Sequence, residues 1–433
     1  KMLDKIHPAD LAMVFRHLTP GERQMLFGML STQLAAAELL SELDQSLIEE
    51  LLSTLEPLQI ANIFQEIQPD DQADILGYLS EEKSQVVLEL LQSKQTSNVE
   101  ALLQYAPDTA GGLMTPDVFL LSQDTTAKDA IEKLQESESA EMVFYIYVVE
   151  ENNHLVGVIS LRQLLTVAPT TLLKDIMIHN VLTVTPETDQ EDVAKIVSRY
   201  NILAVPVVDE FNKLLGIVTV DDVIDVIREE ATEDILQMAG AGSDHEIASK
   251  SAWENAKIRM PWLFASLLGG LAAFYVITQF ENTLSQIAIL AAFIPVIIGM
   301  GGNIGTQSST IVVRGIATGR IAIAEAWKVL FKESRVGLLL GISYGILLAI
   351  CVIILQTVGV ISSGQNPIVL GAVIGSSLAI SMIASATIGT FIPIFLERMD
   401  IDPAVATGPF VTTFIDIMGI GIYFTIATTF LSV

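Results

Sequence analysis

Cysteine is almost absent from this chain of 433 residues: Cys351 is the only one. A single thiol excludes an internal disulfide framework and a thiolate zinc site, and in its apolar run Cys351 reads as core packing. Histidine is scarce too, five residues without ligand spacing, which argues against a His-rich metal centre. Basic residues number 23 against 51 acidic ones, so the footprint of a nucleic-acid-binding protein is missing. There is no nucleophile–base set and no Walker-type phosphate loop, so an enzyme is not expected.

Beyond Pro261, charge of either sign nearly vanishes. Arg314, Arg320, Lys328, Lys332, Arg335 and Arg398 stand against Glu281, Glu325, Glu333, Glu397, Asp400, Asp402 and Asp416, so almost all of the formal charge of −28 lies earlier in the chain. That much negative charge on a soluble region attracts cations. Two such different compositions imply more than one domain. No export signal opens the sequence, and the acidic half is expected in the cytosol.

Five apolar runs follow, at about 261–280, 284–312, 336–361, 368–396 and 404–431, each long enough to cross a bilayer. The segment between the second and third carries five of the cations, which by the positive-inside rule puts it and the amino-terminal half in the cytosol and the carboxyl terminus outside. From Pro403 onward Asp416 is the only formal charge. A carboxylate at that depth costs roughly 2.5–3.5 kcal/mol even on the lenient insertion scale. It is tolerated facing a water-filled path or a cation, or protonated against a neighbouring helix. The second run is interrupted by Gly299-Met-Gly-Gly-Asn-Ile-Gly-Thr-Gln-Ser-Ser309. Its glycines suit close helix packing, whereas Asn303, Gln307 and Ser308 suit the lining of a pore. In the last run Pro409 is expected to free a backbone carbonyl one turn earlier.

Residues 1–105 read as short amphipathic helices broken by Pro- and Asp-bearing turns. His7-Pro-Ala-Asp-Leu-Ala12 with Phe15 and Pro20 recurs at an offset of 49 as Glu56-Pro-Leu-Gln-Ile-Ala61 with Phe64 and Pro69, the mark of helix pairs stacked into a superhelical array. Asp70, Asp71 and Asp74 open one of these helices, as a solvated face or as ligands.

After a linker at Ala106–Thr115, one pattern occurs twice. Met114-Thr-Pro and Met177-Ile-His each precede an apolar stretch, a helix (Ala127–Glu136 and Gln190–Tyr200) and a strand (Phe144–Val149 and Ala204–Val208). A second strand then runs into a helix, in His154–Leu165 and Lys213–Ile224. This repeat resembles a tandem pair of CBS domains. The resemblance implies an adenosine nucleotide such as ATP held by a Thr/Ser and an Asp three residues later. Thr219 and Asp222 match; the first copy departs, with Ser160 but Gln163. A purely structural, dimerising and sensing role is the alternative.

Residues 223–259 read as an acidic connector with Ile224, Ile227, Ala231 and Ile235 as an apolar stripe. Glu230, Glu233 and Asp234, and again Asp222, Asp225 and Glu229, fall on neighbouring turns of one face, a spacing that destabilises a helix unless a counter-ion intervenes. Oxygen-only clusters suit Mg2+ or Ca2+; a plain solvated helix is the other reading.

With these pieces in order, the chain resembles the MgtE family of magnesium channels and transporters. The residues that carry the likeness are Pro107–Thr115, Gly216–Val223, Glu230–Asp234, Pro261-Trp-Leu263, Gly301–Gln307, Asp402-Pro-Ala404 and Thr412–Gly419. The resemblance implies a multidomain chain: an all-α superhelical domain (1–105), an α/β tandem CBS pair (106–227, copies at about 112–166 and 174–227), an acidic connecting plug helix (228–259) and a five-span transmembrane domain (260–433). It also implies a homodimer in the lipid of the cytoplasmic membrane, with Asp416 as the selectivity element. Cytosolic Mg2+, both cargo and regulator, would be sensed by Asp189, Glu191, Asp222, Asp225, Glu230, Glu233 and Asp234, with Asp402 at the membrane face and Asp70 and Asp74 in the amino-terminal domain. Asn201 stands where an acid is expected. The rivals are a CBS-regulated enzyme anchored by helices and a nucleotide-governed transporter of another divalent cation or an osmolyte.

Overall fold

A computed structural model describes residues 6–91, 93–137, 144–242, 247, 250–399 and 401–431, in two compact units, Lys1–Arg228 and Glu229–Val433. In the first, the amino-terminal helices are α1 (Pro8–Phe15), α2 (Pro20–Phe27), α3 (Gln33–Ser41), α4 (Gln45–Thr54), α5 (Pro57–Phe64), α6 (Pro69–Gly77), α7 (Glu81–Leu90) and α8 (Ser93–Leu102). The repeat offset pairs α1 with α5 and α2 with α6, because Pro8, Pro20, Pro57 and Pro69 each occupy the first helical turn. There the missing N–H costs nothing and φ is already set. Contacts run α1–α3–α5–α7 on one side, with α2–α4 and α6–α8 on the other. Phe15, Leu39, Leu52, Ile60 and Phe64 are fully buried between them.

The CBS pair comprises α9 (Ala110–Leu113), β1 (Leu120–Ser122), α10 (Ala127–Glu136), β2 (Tyr145–Val149), β3 (Leu155–Ser160), α11 (Leu161–Leu164), α12 (Gln190–Tyr200), β4 (Ala204–Val208), β5 (Leu214–Thr219) and α13 (Val220–Met238). β1 runs parallel to β2, which pairs antiparallel with β3; β4 pairs antiparallel with β5. The two copies also exchange edge segments. Thr115, ahead of the first copy, bridges Ile217 of the second, and Ile178, ahead of the second, bridges Val158 of the first. A glycine admits each crossing segment: a Cβ at Gly157 would lie 2.5 Å from Met177 Sδ, and one at Gly216 2.7 Å from the Thr115 carbonyl. This is why both second strands carry the glycine at the same place. The second copy shares one apolar core with the helical domain, from Leu11 through Val226.

In the second unit, α14 (Ala252–Thr278), α16 (Leu290–Ala317), α17 (Ala326–Thr357), α18 (Pro367–Glu397) and α20 (Pro409–Phe430) are long and apolar enough to span a membrane; α15 (Glu281–Gln286) and α19 (Ala404–Thr407) are short. The most buried helix is α18, packed by α17, α16 and α20, while α14 lies on α20. Tyr423 donates its hydroxyl to the Leu290 carbonyl at 2.9 Å, which satisfies the one polar atom of a fully buried ring.

Four expectations are corrected. Cys351 is exposed on α17 rather than packed in a core. The connecting helix ends at Met238, not 259, because Gly240 and Gly242 take φ of +68° and +103°, which terminate a helix; Ala252–Arg259 instead begin α14. Residues 243–246, 248 and 249 of that stretch lie outside the described residues. The last apolar run is broken at Gly408, so Pro409 opens α20 as its first residue and frees no carbonyl from a helix interior. Finally, Lys328, Lys332 and Arg335 belong to the first turns of α17 rather than to a loop.

Close approach of α17 and α18 depends on missing side chains. A Cβ at Gly375 would sit 2.4 Å from the Gly345 carbonyl, and one at Gly341 2.7 Å from that of Ala379. Gly375→Val should therefore separate the helices and cost about 1–3 kcal/mol, the usual price of overpacking. A lowered melting temperature of the detergent-solubilised protein is expected, and an unshifted curve would contradict this packing.

Candidate cation path and sensing sites

Asp416 sits in the middle third of α20, half-buried, and its Oδ1 is shielded from solvent without a hydrogen-bond partner among the described residues. It lines a cavity of about 360 Å3 together with Thr412 and Thr413 of α20, Ser266 and Gly269 of α14, and Met238 at the end of α13. Gly302 of α16 faces the same place, since a Cβ there would lie 3.8 Å from Thr412 Cγ2 and 3.9 Å from Asp416 Oδ1. At Gly269 a Cβ would run into the Thr413 side chain, and at Gly408 it would come within 3.0 Å of the Met238 carbonyl. Glycine thus brings α14 and the end of α13 against the cavity that holds the intramembrane carboxylate.

Of the pore-lining candidates, Asn303 and Gln307 lie four residues apart on an exposed face of α16. Ser308 does not share that face. One residue on turns the helix by about 100°, so Ser308 is buried and donates its hydroxyl to Glu333 of α17 at 3.1 Å. Glu333, only 5% exposed, escaped sequence reading because it was counted among the charges flanking a span. Its burial inside a candidate membrane helix is the signal that finds it.

In the soluble unit, the acids of α6 converge with those at the start of α13. Asp70 is buried with Oδ1 unpartnered, and its carboxyl is held well above the usual range by burial first and then by the charges of Asp222, Asp71 and Asp74. Asp71 is raised by burial and by Asp221, Glu42 and Asp225, partly offset by the Ser41 hydroxyl it accepts at 2.6 Å. Burial pushes Asp222 up to about 7 despite the hydrogen bond it accepts from Thr219 at 2.6 Å. Asp221, absent from the candidates, joins Asp71 of the Asp70–Asp74 run in this cluster where α6 and α13 pack. Among the described residues, no three His, Cys, Asp or Glu side chains already form a ligand set.

The remaining acids hold other places. Asp189 caps α12 by accepting from the Glu191 amide at 2.8 Å, and Glu191 pairs with Lys195 at 2.9 Å. Asp402 accepts from the Ala404 amide at 2.8 Å. Glu233 accepts from Gln237 at 2.6 Å, and Glu230 and Asp234 lie near it on α13. Asn201 has φ +51° at the end of α12, a left-handed position that favours Asn over an acid. In the first CBS copy Gln163 donates to the Ile176 carbonyl at 2.6 Å while Ser160 caps α11, so the pair equivalent to Thr219 and Asp222 is engaged by the backbone.

A carboxylate kept inside a bundle of helices long and apolar enough to span a membrane, in a chain that also carries a CBS pair, points to a multi-pass membrane transport protein. Family models agree in order: the MgtE intracellular N domain matches residues 6–108, the CBS domain 110–169 and 173–229, and MgtE, a divalent cation transporter, 294–426. The magnesium transporter MgtE of Bacillus subtilis is 35% identical over 431 residues, 99% of this chain and 93% of its own. That of Thermus thermophilus is 37% identical over 434 residues, 99% and 94% of the two chains. The crystal structure of the cytosolic domain of the Mg2+ channel MgtE in complex with ATP matches with a TM-score of 0.50 and 39% identity, covering 52% of this chain and 92% of that one. The chain belongs to the MgtE family of magnesium transporters.

The carboxylate cluster makes the α6–α13 contact sensitive to pH. With the Asp222 value raised to about 7 from 3.8, the packed contact binds protons that the separated parts release. Its stability is therefore greatest below the lower value and falls as pH rises through the upper one. In magnesium-free buffer, α6 and the first turn of α13 should be better protected from hydrogen exchange at about pH 5.5 than at about pH 8, after correction for intrinsic rates. Asp222→Asn should remove most of the difference, and equal protection in the wild-type protein would exclude this origin.

Proposed function

We propose that this chain is a Mg2+-selective channel or transporter of the cytoplasmic membrane, closed by cytosolic Mg2+ acting on the acids of its soluble half. The observation that carries the reading is Asp416, which lines a cavity met by the end of α13 and keeps one buried oxygen without a hydrogen-bond partner among the described residues. Mg2+ gives up water reluctantly, and a carboxylate flanked by Thr412 suits an ion that passes with most of its shell. The soluble amino-terminal half lies on the cytosolic side and the carboxyl terminus outside, in keeping with the cations at the start of α17.

The working unit is a homodimer with the two Asp416 side chains facing one path. Two features support it. Asn303 and Gln307 are exposed on a spanning helix, where polar amides need water or a second copy. Ile224, Ile227 and Ile235 of α13 are 54%, 44% and 63% exposed, an apolar stripe that another chain would cover.

Regulatory Mg2+ fits the donor set of the soluble half, which is all oxygen and includes the unpartnered Asp70 Oδ1. Asp70, Asp74, Asp222 and Asp225 would hold it at the α6–α13 contact and Glu230, Glu233 and Asp234 further along α13; Asp189, Glu191 and Asp402 join them through the family likeness. A bound cation would offset the burial that chiefly raises the carboxyls of Asp70 and Asp222, and the neighbouring charges that add to it. Reversing an equilibrium from 1:99 to 99:1 takes about 5.5 kcal/mol, while one site at ten times its dissociation constant supplies about 1.4 kcal/mol. Several ions per dimer are needed, and the acids are numerous enough. Thr219 and Asp222 are the residues for regulatory ATP in the second CBS copy alone. A relative's cytosolic domain solved with ATP and the engagement of Gln163 with the Ile176 carbonyl both support that.

Asp416→Asn should cut Mg2+ flux into proteoliposomes sharply while leaving the oligomer intact, and unchanged flux and selectivity would remove Asp416 from the path. Replacing Glu230, Glu233 and Asp234 by Ala together should shift closure to higher cytosolic Mg2+ in patch recordings without abolishing conduction. Closure of that variant at the wild-type concentration would sink the gating role.

A further inference from the structure

A second site lies where α17 begins and α18 ends, away from Asp416. Trp327 and Leu330 of α17 and Phe391, Phe395 and Arg398 of α18 line a narrow cleft between the two helices. Its floor is fixed, because Ala326 and Ile394 are buried in one small apolar cluster with Val312 and Ile316 of α16. The walls remain open: Trp327 is 57% exposed, and Phe391 and Phe395, whose rings stack at 5.8 Å, are 46% and 48% exposed. Among the described residues the guanidinium of Arg398 has no carboxylate partner, and the same holds for Arg314, Lys332 and Arg335 at this end of the bundle. Lys328 is paired, with Glu325. Acids share this end as well, Glu397 next to Arg398 and Asp402 beyond it, but Asp402 caps a backbone amide and Glu397 already has an interaction.

We propose that this cleft binds an anionic phospholipid of the adjoining leaflet, its headgroup phosphate taken by Arg398 and its glycerol and first acyl carbons by Trp327, Phe391 and Phe395. Arginine presents a planar fork matched to phosphate oxygens. Tryptophan and phenylalanine at a span's end belong at the depth where headgroup meets hydrocarbon. A basic pocket between spanning helices is the arrangement that recognises acidic headgroups. Neither a neutral lipid nor a free anion uses both halves of the site, since the first leaves the guanidinium unpaired and the second leaves the aromatic walls uncovered. The lipid would tie the start of α17 to the end of α18.

Native mass spectrometry of the full chain in detergent, doped with equal amounts of phosphatidylglycerol and phosphatidylcholine, tests the assignment. Wild-type protein should retain phosphatidylglycerol preferentially. Arg398→Gln should lose about fivefold of that retention, the equivalent of about 1 kcal/mol for one cation at an anionic surface. Arg320→Gln, in the turn outside the cleft, should change nothing. Trp327→Ala leaves every charge in place and should weaken retention of both lipids, which keeps the test valid should the Arg398 variant fail to fold. Equal retention of the two lipids by wild-type protein, or undiminished phosphatidylglycerol on Arg398→Gln, would overturn the site. Displacement of the lipid by millimolar inorganic phosphate would overturn it too, assigning Arg398 to a free anion.

Discussion

Carboxylates held away from water, with no cation paired to them among the described residues, set the terms for both halves of this molecule. In the membrane unit the group is Asp416; in the soluble unit it is the cluster of Asp70, Asp71 and Asp222. The physics is shared: removing a carboxylate from water raises the cost of its charge, and a neighbouring carboxylate raises it again. What differs is the compensation at hand. Asp416 opens into a cavity with threonine and glycine around it, whereas the soluble cluster has the Thr219 and Ser41 hydroxyls, too few donors for the charge collected there. Under the proposed function, an ion would relieve the first site by passing and the second by staying.

The packing can be understood as what keeps these carboxylates where they are. Without side chains at Gly302, Gly269 and Gly408, α16, α14 and the end of α13 come close enough to Asp416 to bound one cavity. Helix association in lipid lacks a hydrophobic driving force and leans on such close backbone approach, and α17 and α18 use it again at Gly341, Gly345 and Gly375. In the soluble unit the second CBS copy and the helical domain share an apolar core, and that burial holds α6 and α13 together in spite of their charge. A contact favoured by apolar area and opposed by like charge lies near balance, which is the condition for a few bound ions to decide it.

Much of this was legible before any coordinates. The offset of 49 residues holds for α1 and α5 and for α2 and α6 because proline fixes where those helices begin, while α3 and α7, and α4 and α8, start 48 residues apart. Strand Ala204–Val208 and helices Ala127–Glu136 and Gln190–Tyr200 fall on their expected bounds because alternation and capping are local signals. The single charge in the last span stood out because hydrocarbon makes any charge conspicuous. What stayed hidden depends on tertiary direction or on one backbone angle. Ser308 and Gln307 are neighbours in sequence, yet one meets Glu333 and the other the surface. The connecting helix stops where two glycines take positive φ, which composition permits without requiring. The exchange of edge segments between CBS copies rests on pairing across more than a hundred residues, between Thr115 and Ile217, and no local pattern registers it. Asp221 joins Asp71 in the cluster only because α6 and α13 meet, a fact of packing alone.

The position of α13 joins the two electrostatic problems. One helix carries Asp222 at its first turn and Met238 at its last, so it begins in the crowded soluble cluster and ends at the cavity of Asp416. A continuous helix of 19 residues is about 28 Å long at 1.5 Å per residue, far beyond the Debye length of roughly 8 Å at physiological salt. Charge at one end is therefore screened from the other. The glycine at 408 admits its last carbonyls, since a Cβ there would lie 3.0 Å from that of Met238 and 3.3 Å from that of Gln237. Under the proposed function, proton and Mg2+ would act in the same direction on the cluster at the start of α13, because each lessens the charge collected there. They differ in that a divalent ion joins two carboxylates, whereas a proton only silences one.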